Sequence, residues 1–387
     1  MGCNRSTLPD FINDLLPASL TGLHQKQAVE NYIGRTVARW DTNNAIDVEL
    51  TCGYGPALHR KLYEFKPKGS APCWQLQYYQ DPATQRLTPY QNYAPPFGIL
   101  KLDMNDSAYF DSYVAQLMLP DHLDDFGTVC FGEEQDSDFQ ARLLQSLCDL
   151  KTQTTDVLIR DPLDHHVRMI ILTHIMGRTL TITEHTVSGI LDAVTMSPKP
   201  VSEDVAATHV SPRLANRQLK LLFSYLRRRS FYECLGWLQQ TLCSADGETS
   251  WLPGFYSILC FAIVLEETQQ STYIGADFRS REDGVDIEDE RRFASEECEQ
   301  IDSRFRLMVA LFRFKYRDYR WDNGIPELQD PHAREFVSKI KVLLFEKRLY
   351  LESRRYLALS SRTQCSPTSR LVARFLLPFL HDDDLVA

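Results

Sequence analysis

Three short strings in this chain hold residue types that could do chemistry. The first is Asp164-His165-His166. Histidine beside aspartate is the signature of a family of metal-dependent phosphoesterases, where the side chains hold divalent metals that activate water. That chemistry needs a strand-end loop and further aspartates. Here the string lies inside an amphipathic helical pattern, where successive side chains diverge by about 100°. The two histidines are therefore not expected to share a metal, and His174 and His185 do not repair the spacing.

The second string is Asp124-Asp125, echoed by Asp382 to Asp384 near the C-terminus. Paired aspartates suit magnesium and pyrophosphate, as in helical terpene cyclases. Such an enzyme needs two acidic motifs facing each other, and the later half offers no Asn/Asp–Ser–Glu companion at helical spacing. A metal-dependent, cyclase-like helical enzyme stays as the enzymatic alternative. The third string is "MGCNRS". Gly2 and Ser6 fit N-myristoylation, and Cys3 could take a palmitate. Two acyl chains hold a protein on a membrane and one does so marginally, which makes a cytoplasmic, membrane-associated adaptor the other alternative.

The remaining motifs read as structure. "CGYGP" (52–56) has neither the length nor the lysine of a phosphate loop and is expected to be a turn. No G-x-S-x-G or H-E-x-x-H string occurs. Arg227 to Arg229 form the densest basic run, expected on an exposed helix face. The ten cysteines show no C-x2-C pair, so they offer no zinc ligands and read as small buried hydrophobes of a reducing compartment. No catalytic residues, cofactor or metal site are therefore nominated, and the expectation is a non-enzymatic protein.

The elements that would position any site are mostly helices. Hydrophobic residues make up 43 % and charged residues 24 % of 387 residues, an ordinary globular composition. The net charge of −10 argues against unaided binding to nucleic acid, whose phosphates call for a basic face. "GLHQKQAVENYIGRTVARW" (22–40) has helical spacing through Trp40, whereas 46–100 is rich in Pro, Tyr and Gln and reads as an extended, turn-rich insert with room for a short hairpin. Phe139, Leu143, Leu147 and Leu150 share one helical face. Asp161-Pro162 is expected to start a helix that stops at Gly177, and Ser211 to cap another with Pro212 in its first turn. "FYSILCFAIVL" (255–265) is too short to span a membrane and reads as a buried core helix. "GADFRSREDGVDIEDERRF" (275–293) is expected to be a solvated loop, followed by helices over 298–321, 331–355 and 366–380. The fold class is mostly α: a helical bundle or array with an irregular, Pro/Tyr-rich N-terminal insert. The expected domains are 1–106, a helical region 107–195, a proline-bearing linker 196–212 and a helical region 213–387.

Five phrases carry a family resemblance: "NYIGRTVARWDTNN" (31–44), "LTCGYGPALHRKLYEFKPK" (50–68), "SPRLANRQLKLLFSYLRR" (211–228), "WLPGFYSILCFAIVLEETQ" (251–269) and "TSRLVARFLLPFL" (368–380). They resemble the helical regulatory region of fungal zinc-cluster-type transcription regulators, including regulators of secondary-metabolite gene clusters of the trichothecene-toxin type. The six zinc-ligand cysteines of that family have no counterpart here, so none of its DNA-contacting residues is carried over. The resemblance then implies either a regulator that works in the nucleus through a DNA-bound factor or coactivator, or a chain whose zinc-cluster exon lies upstream. Tyr, Trp and Arg dominate interface energetics, so Arg313, Tyr316, Tyr319 and Trp321 are the expected interface.

Overall fold

The computed structural model describes residues 7–80, 87–103, 106–131, 138–197, 210–319, 325–357 and 368–380. In chain order they form α1 (Ile12–Leu15), α2 (Ala18–Thr21), α3 (Lys26–Thr36), β1 (Val37–Thr51), β2 (Leu58–Pro67), β3 (Trp74–Gln80), β4 (Leu87–Tyr93) and β5 (Phe97–Gly98). Then follow α4 (Ser107–Leu117), α5 (Pro120–Leu123), α6 (Phe126–Phe131), α7 (Phe139–Gln153), α8 (Val157–Gly177), β6 (Thr181–Ile182) and α9 (Glu184–Asp192). The last six helices are α10 (Arg213–Cys243), α11 (Gly247–Asp283), α12 (Ile287–Lys315), α13 (Pro331–Glu346), α14 (Arg348–Arg355) and α15 (Arg370–Leu376). The fold is mostly α, as the spacing predicts, and the N-terminal insert forms a small sheet region. Its contacts group into two units: 1–18, 118–173 and 227–387 form one, and 19–117 with 174–226 form the other.

The second unit holds the strands. An antiparallel sheet runs β5-β2-β1-β6, and β3 and β4 form a separate hairpin. The 46–100 region is thus more regular than its composition suggests. Helix α3 stops at Thr36, four residues short of the expected end, because Val37 to Trp40 pair with β2, Trp40 lying opposite Phe65. Their rings meet edge-on at 5.6 Å, and Phe65 packs with Tyr32 and Leu214. Tertiary pairing here outweighs local helical spacing. "CGYGP" is the turn it was expected to be, with Gly53 and Gly55 at φ +92° and +65°, a region that disfavours other residues. Buried Glu64 ties β2 to the segment after α9. It accepts hydrogen bonds from Thr195 N–H (2.7 Å), Met196 N–H (2.7 Å) and Asn44 Nδ2 (2.6 Å).

In the first unit α11 is the central helix: from Trp251 to Leu265 every hydrophobic side chain is buried. By length and composition it could cross a membrane, but 89 % of its most apolar window is buried. Asp246 caps it, accepting from Glu248 and Thr249 N–H, and Gly284 closes it in the left-handed region. The expected loop over 275–293 is therefore mostly helix: α11 runs to Asp283 and α12 starts at Ile287 behind its cap Asp286. Helix α8 begins at Val157, so Pro162 sits within it and Asp161-Pro162 is not its start, whereas Gly177 is its last residue. Ser211 does not cap α10; its hydroxyl is buried without a hydrogen-bond partner, and Pro212 stands at the cap, its carbonyl accepting from Asn216 N–H. Phe139, Leu143, Leu147 and Leu150 line the buried face of α7, which packs against α6 and α13. Gly127 of α6 comes so close that a Cβ there would stand 2.2 Å from the Ala141 carbonyl oxygen.

Candidate partner-binding surface

Of the strings of chemistry-bearing residues, the histidines of 164–166 are engaged in structural contacts. His165 Nδ1 lies 3.2 Å from Glu233 at the surface, while fully buried His166 bonds through Nδ1 to the Pro162 carbonyl at 2.7 Å. The proline at 162 leaves no N–H of its own to donate, and the imidazole one turn on uses the proline's carbonyl. Burial pushes His166 down to about 4, so it is a neutral ring. Asp124 and Asp125 are exposed just ahead of α6; Asp382 to Asp384, Gly2 and Cys3 lie outside the described residues. No group of three or more His, Cys, Asp or Glu could hold a metal among the described residues. Cys52, Cys73, Cys148, Cys234, Cys260 and Cys298 are buried, while Cys243 is exposed and Cys130 intermediate.

The Arg227–Arg229 run does not share one exposed face. Arg227 is buried, and burial brings it down to about 10. Arg228 bonds Asn13 and Arg229 pairs with Glu233. In the second unit a pocket of about 230 Å³ lies beside Asp47, Glu49, His59 and Arg60. It is smaller than usual ligand sites, and Glu49 already meets His185 Nε2 at 2.7 Å.

Spacing alone did not reveal a buried polar lock in the first unit. Arg370, 3 % exposed, donates to both oxygens of Asp302 at 2.6 and 2.7 Å and to Gln269 Oε1 at 2.9 Å. Arg374 adds a bond to Asp302 at 2.9 Å. Burial raises the Asp302 carboxyl, but the Arg370 hydrogen bond and charge overcome it and hold the group below its usual value. Glu266 of α11 accepts from Leu371 N–H (2.5 Å), Val372 N–H (3.3 Å) and Gln140 Nε2 (2.9 Å), so it caps α15 from a distant helix. Burial raises its carboxyl against those bonds. Glu266 is closed off from solvent and saturated by structural donors, which makes it a fastener of α15, not an acid for a substrate. The sequence signal for it was a Glu ending the apolar run "FAIVLEE".

The expected interface at the end of α12 divides in two. Tyr316 is buried, its hydroxyl donating to the Ser250 carbonyl at 2.9 Å, and burial pushes it up to about 12. Arg313 donates to the Arg374 carbonyl at 2.8 Å, and Tyr319 is half-buried beside Tyr316. Trp321 lies outside the described residues. Over the last three turns of this helix the large apolar side chains that face solvent are Leu307, Leu311 and Phe314, spaced i, i+4, i+7, with Phe314 77 % exposed. Over 303–317 there are five Lys/Arg and no Asp or Glu. Such an apolar stripe among cations has no use for a single buried substrate and suits contact with another macromolecule.

No curated protein and no solved structure matches the chain. A family model described as KpeA transcription factor matches residues 16–375, a span that takes in the sheet, the central helix and the polar lock alike. The chain therefore belongs to the KpeA transcription factor family.

Proposed function

We propose that this transcription-factor family member is a non-enzymatic regulator that works in the nucleus by docking on a DNA-bound factor or coactivator, and that it controls a fungal secondary-metabolite gene cluster, of the mycotoxin and trichothecene type. The observation that supports partner-mediated action is the solvent-facing Leu307–Leu311–Phe314 stripe on α12, carried by a molecule of net charge −10. A monomer gains nothing by keeping Phe314 in water, whereas a partner that covers it recovers the hydrophobic term. Arg313 and Tyr319 flank that stripe and Tyr316 anchors the helix end beneath it. In this reading Arg313 and Tyr319 serve as rim contacts, with Trp321 beyond the helix end as a further contact.

Deleting the gene and profiling transcripts tests the reading. A contiguous set of biosynthetic genes should rise or fall together. Altered metabolite output with unchanged transcripts would return the enzyme alternative. Purified protein that shifts a promoter fragment tightly and sequence-selectively, with no helper present, would overturn the partner-mediated part.

A further inference from the structure

Helices α13 and α14 follow one another with Lys347 between them, and the Leu351 N–H still reaches the Lys347 carbonyl at 3.0 Å. The inner side of α13 is spent on the core through Phe336, Val337, Ile340, Leu343 and Leu344. A second, solvent-facing apolar series runs from Val342 and Phe345 of α13 through Leu349 of α14 to Tyr356, the residue that ends α14. Val342 is 49 % exposed, Phe345 53 %, Leu349 81 % and Tyr356 78 %. Val342 and Phe345 stand three apart on one side of α13, and Leu349 follows on the first turn of α14; apolar side chains at such spacing suit contact with a second helix. A helix apolar on both sides, with only one side used by its own core, has a face left for something else.

The charge around the face limits what that is. Residues 331–355 carry seven Lys/Arg against three Glu, a net +4 on a chain of net −10. The neighbouring α7 with its cap Asp138 adds two Asp and two Lys/Arg and leaves the sum unchanged. Some of these cations are held in place: Arg348 by Glu352 at 2.7 Å, Lys347 by Asp138 at 2.6 Å, and Arg355 over the Tyr356 ring at 5.2 Å. Two copies of this face would repel each other. A nucleic-acid backbone would be drawn to the rim but could not use the four apolar side chains at the centre. An amphipathic helix bearing Asp and Glu beside its apolar side satisfies both features at once.

We propose that the α13–α14 face is the docking site for an acidic amphipathic helix of a partner protein, with Val342, Phe345, Leu349 and Tyr356 receiving its apolar side and Arg348 and Arg355 meeting its carboxylates. This rests on the regulator reading and names the chemistry of one partner. The seam supplies affinity through apolar burial, and the cations set orientation and encounter rate.

The probe is a synthetic peptide of about 20 residues, long enough to span the seam as a helix, with Leu and Phe at i, i+3, i+7 and Glu at the flanking positions. A second peptide has Lys in place of every Glu. Binding to the full chain is read by fluorescence anisotropy and peptide helicity by circular dichroism. The acidic peptide should bind, gain helix, and weaken as NaCl rises from about 50 to about 300 mM. Leu349→Glu with Phe345→Glu should weaken it at least about tenfold; Leu349→Glu alone, at a side chain 81 % exposed, should weaken it too and leave the thermal melt unchanged. Equal binding of the Lys peptide, or an acidic peptide indifferent to the double variant, overturns the proposal. So does duplex DNA displacing the peptide, or sedimentation showing a dimer that Leu349→Glu dissociates. A further readout separates this from the regulator reading. If gene deletion alters transcripts but the double variant does not, this docking site fails and the regulator stands; if deletion alters no transcripts, the regulator reading itself fails.

Discussion

Replacing Asp302 with alanine should unfasten the C-terminal helix. The carboxylate is the shared partner of Arg370 and Arg374, and Arg370 is 3 % exposed. Burial and the neighbouring cations Arg370 and Arg306 already hold Arg374 below its ordinary value, so the arginines depend on Asp302 for compensation. Removing one member of a buried pair leaves an uncompensated buried charge and costs about 3–5 kcal/mol. With a urea slope of about 3 kcal/mol/M the unfolding midpoint should drop by more than about 1 M. The control is Arg292→Ala, which breaks the exposed Arg292–Asp289 pair on the same unit and should cost under about 1 kcal/mol. Replacing the three charges together, as Asp302→Leu, Arg370→Met and Arg374→Met, should recover part of the loss because no orphaned charge remains. Acid should act the same way. The folded carboxyl sits below its usual value, so the stability it contributes is present above about pH 4 and is lost as pH falls through the folded value. Equal urea midpoints for Asp302→Ala and Arg292→Ala would refute this account of the lock.

Three further outcomes are expected. Glu266→Ala should strip the cap from α15 and cost about 2–4 kcal/mol, whereas Glu266→Gln keeps an acceptor and brings an amide towards the buried, unpartnered Gln140 Oε1. The raised Glu266 carboxyl makes folding less favourable as pH climbs from the unfolded value to the folded one, and Glu266→Gln should abolish that slope in urea titrations at pH 4 to 7. His166 should act in the opposite sense: held at about 4, it contributes stability that is lost as pH falls from the unfolded value. Between about pH 6.5 and 4 this amounts to about 3 kcal/mol; His166→Gln should flatten the profile, and an unchanged slope would contradict the burial argument. Gly127→Ala should lower the melting temperature by several degrees, because its methyl would overlap the Ala141 carbonyl and force α6 off α7.

The sequence by itself determined the class and the interior. Helical periodicity identified the buried face of α7, and the unbroken apolar run over 255–265 identified the central helix. Those features were legible because burial follows local spacing: a residue's neighbours three and four positions away already say which side faces in. The two glycines of the 52–56 turn were legible for a related reason, since the backbone there needs positive φ. Tertiary structure decided what depends on partners far along the chain. Val37 to Trp40 became strand because β2 lies beside them, and Tyr316 went inside because the carbonyl of Ser250, 66 residues away, accepts its hydrogen bond. Glu266 meets α15 across 105 residues, and Arg370 meets Asp302 across 68. The apolar side of α13–α14 that stays in water was equally hidden, since Val342 and Leu343 look alike in sequence and only the packing of α7 chooses between them. A periodic pattern records how many apolar faces a helix has; which of them the protein's own core consumes is settled by the long-range contacts that close the fold.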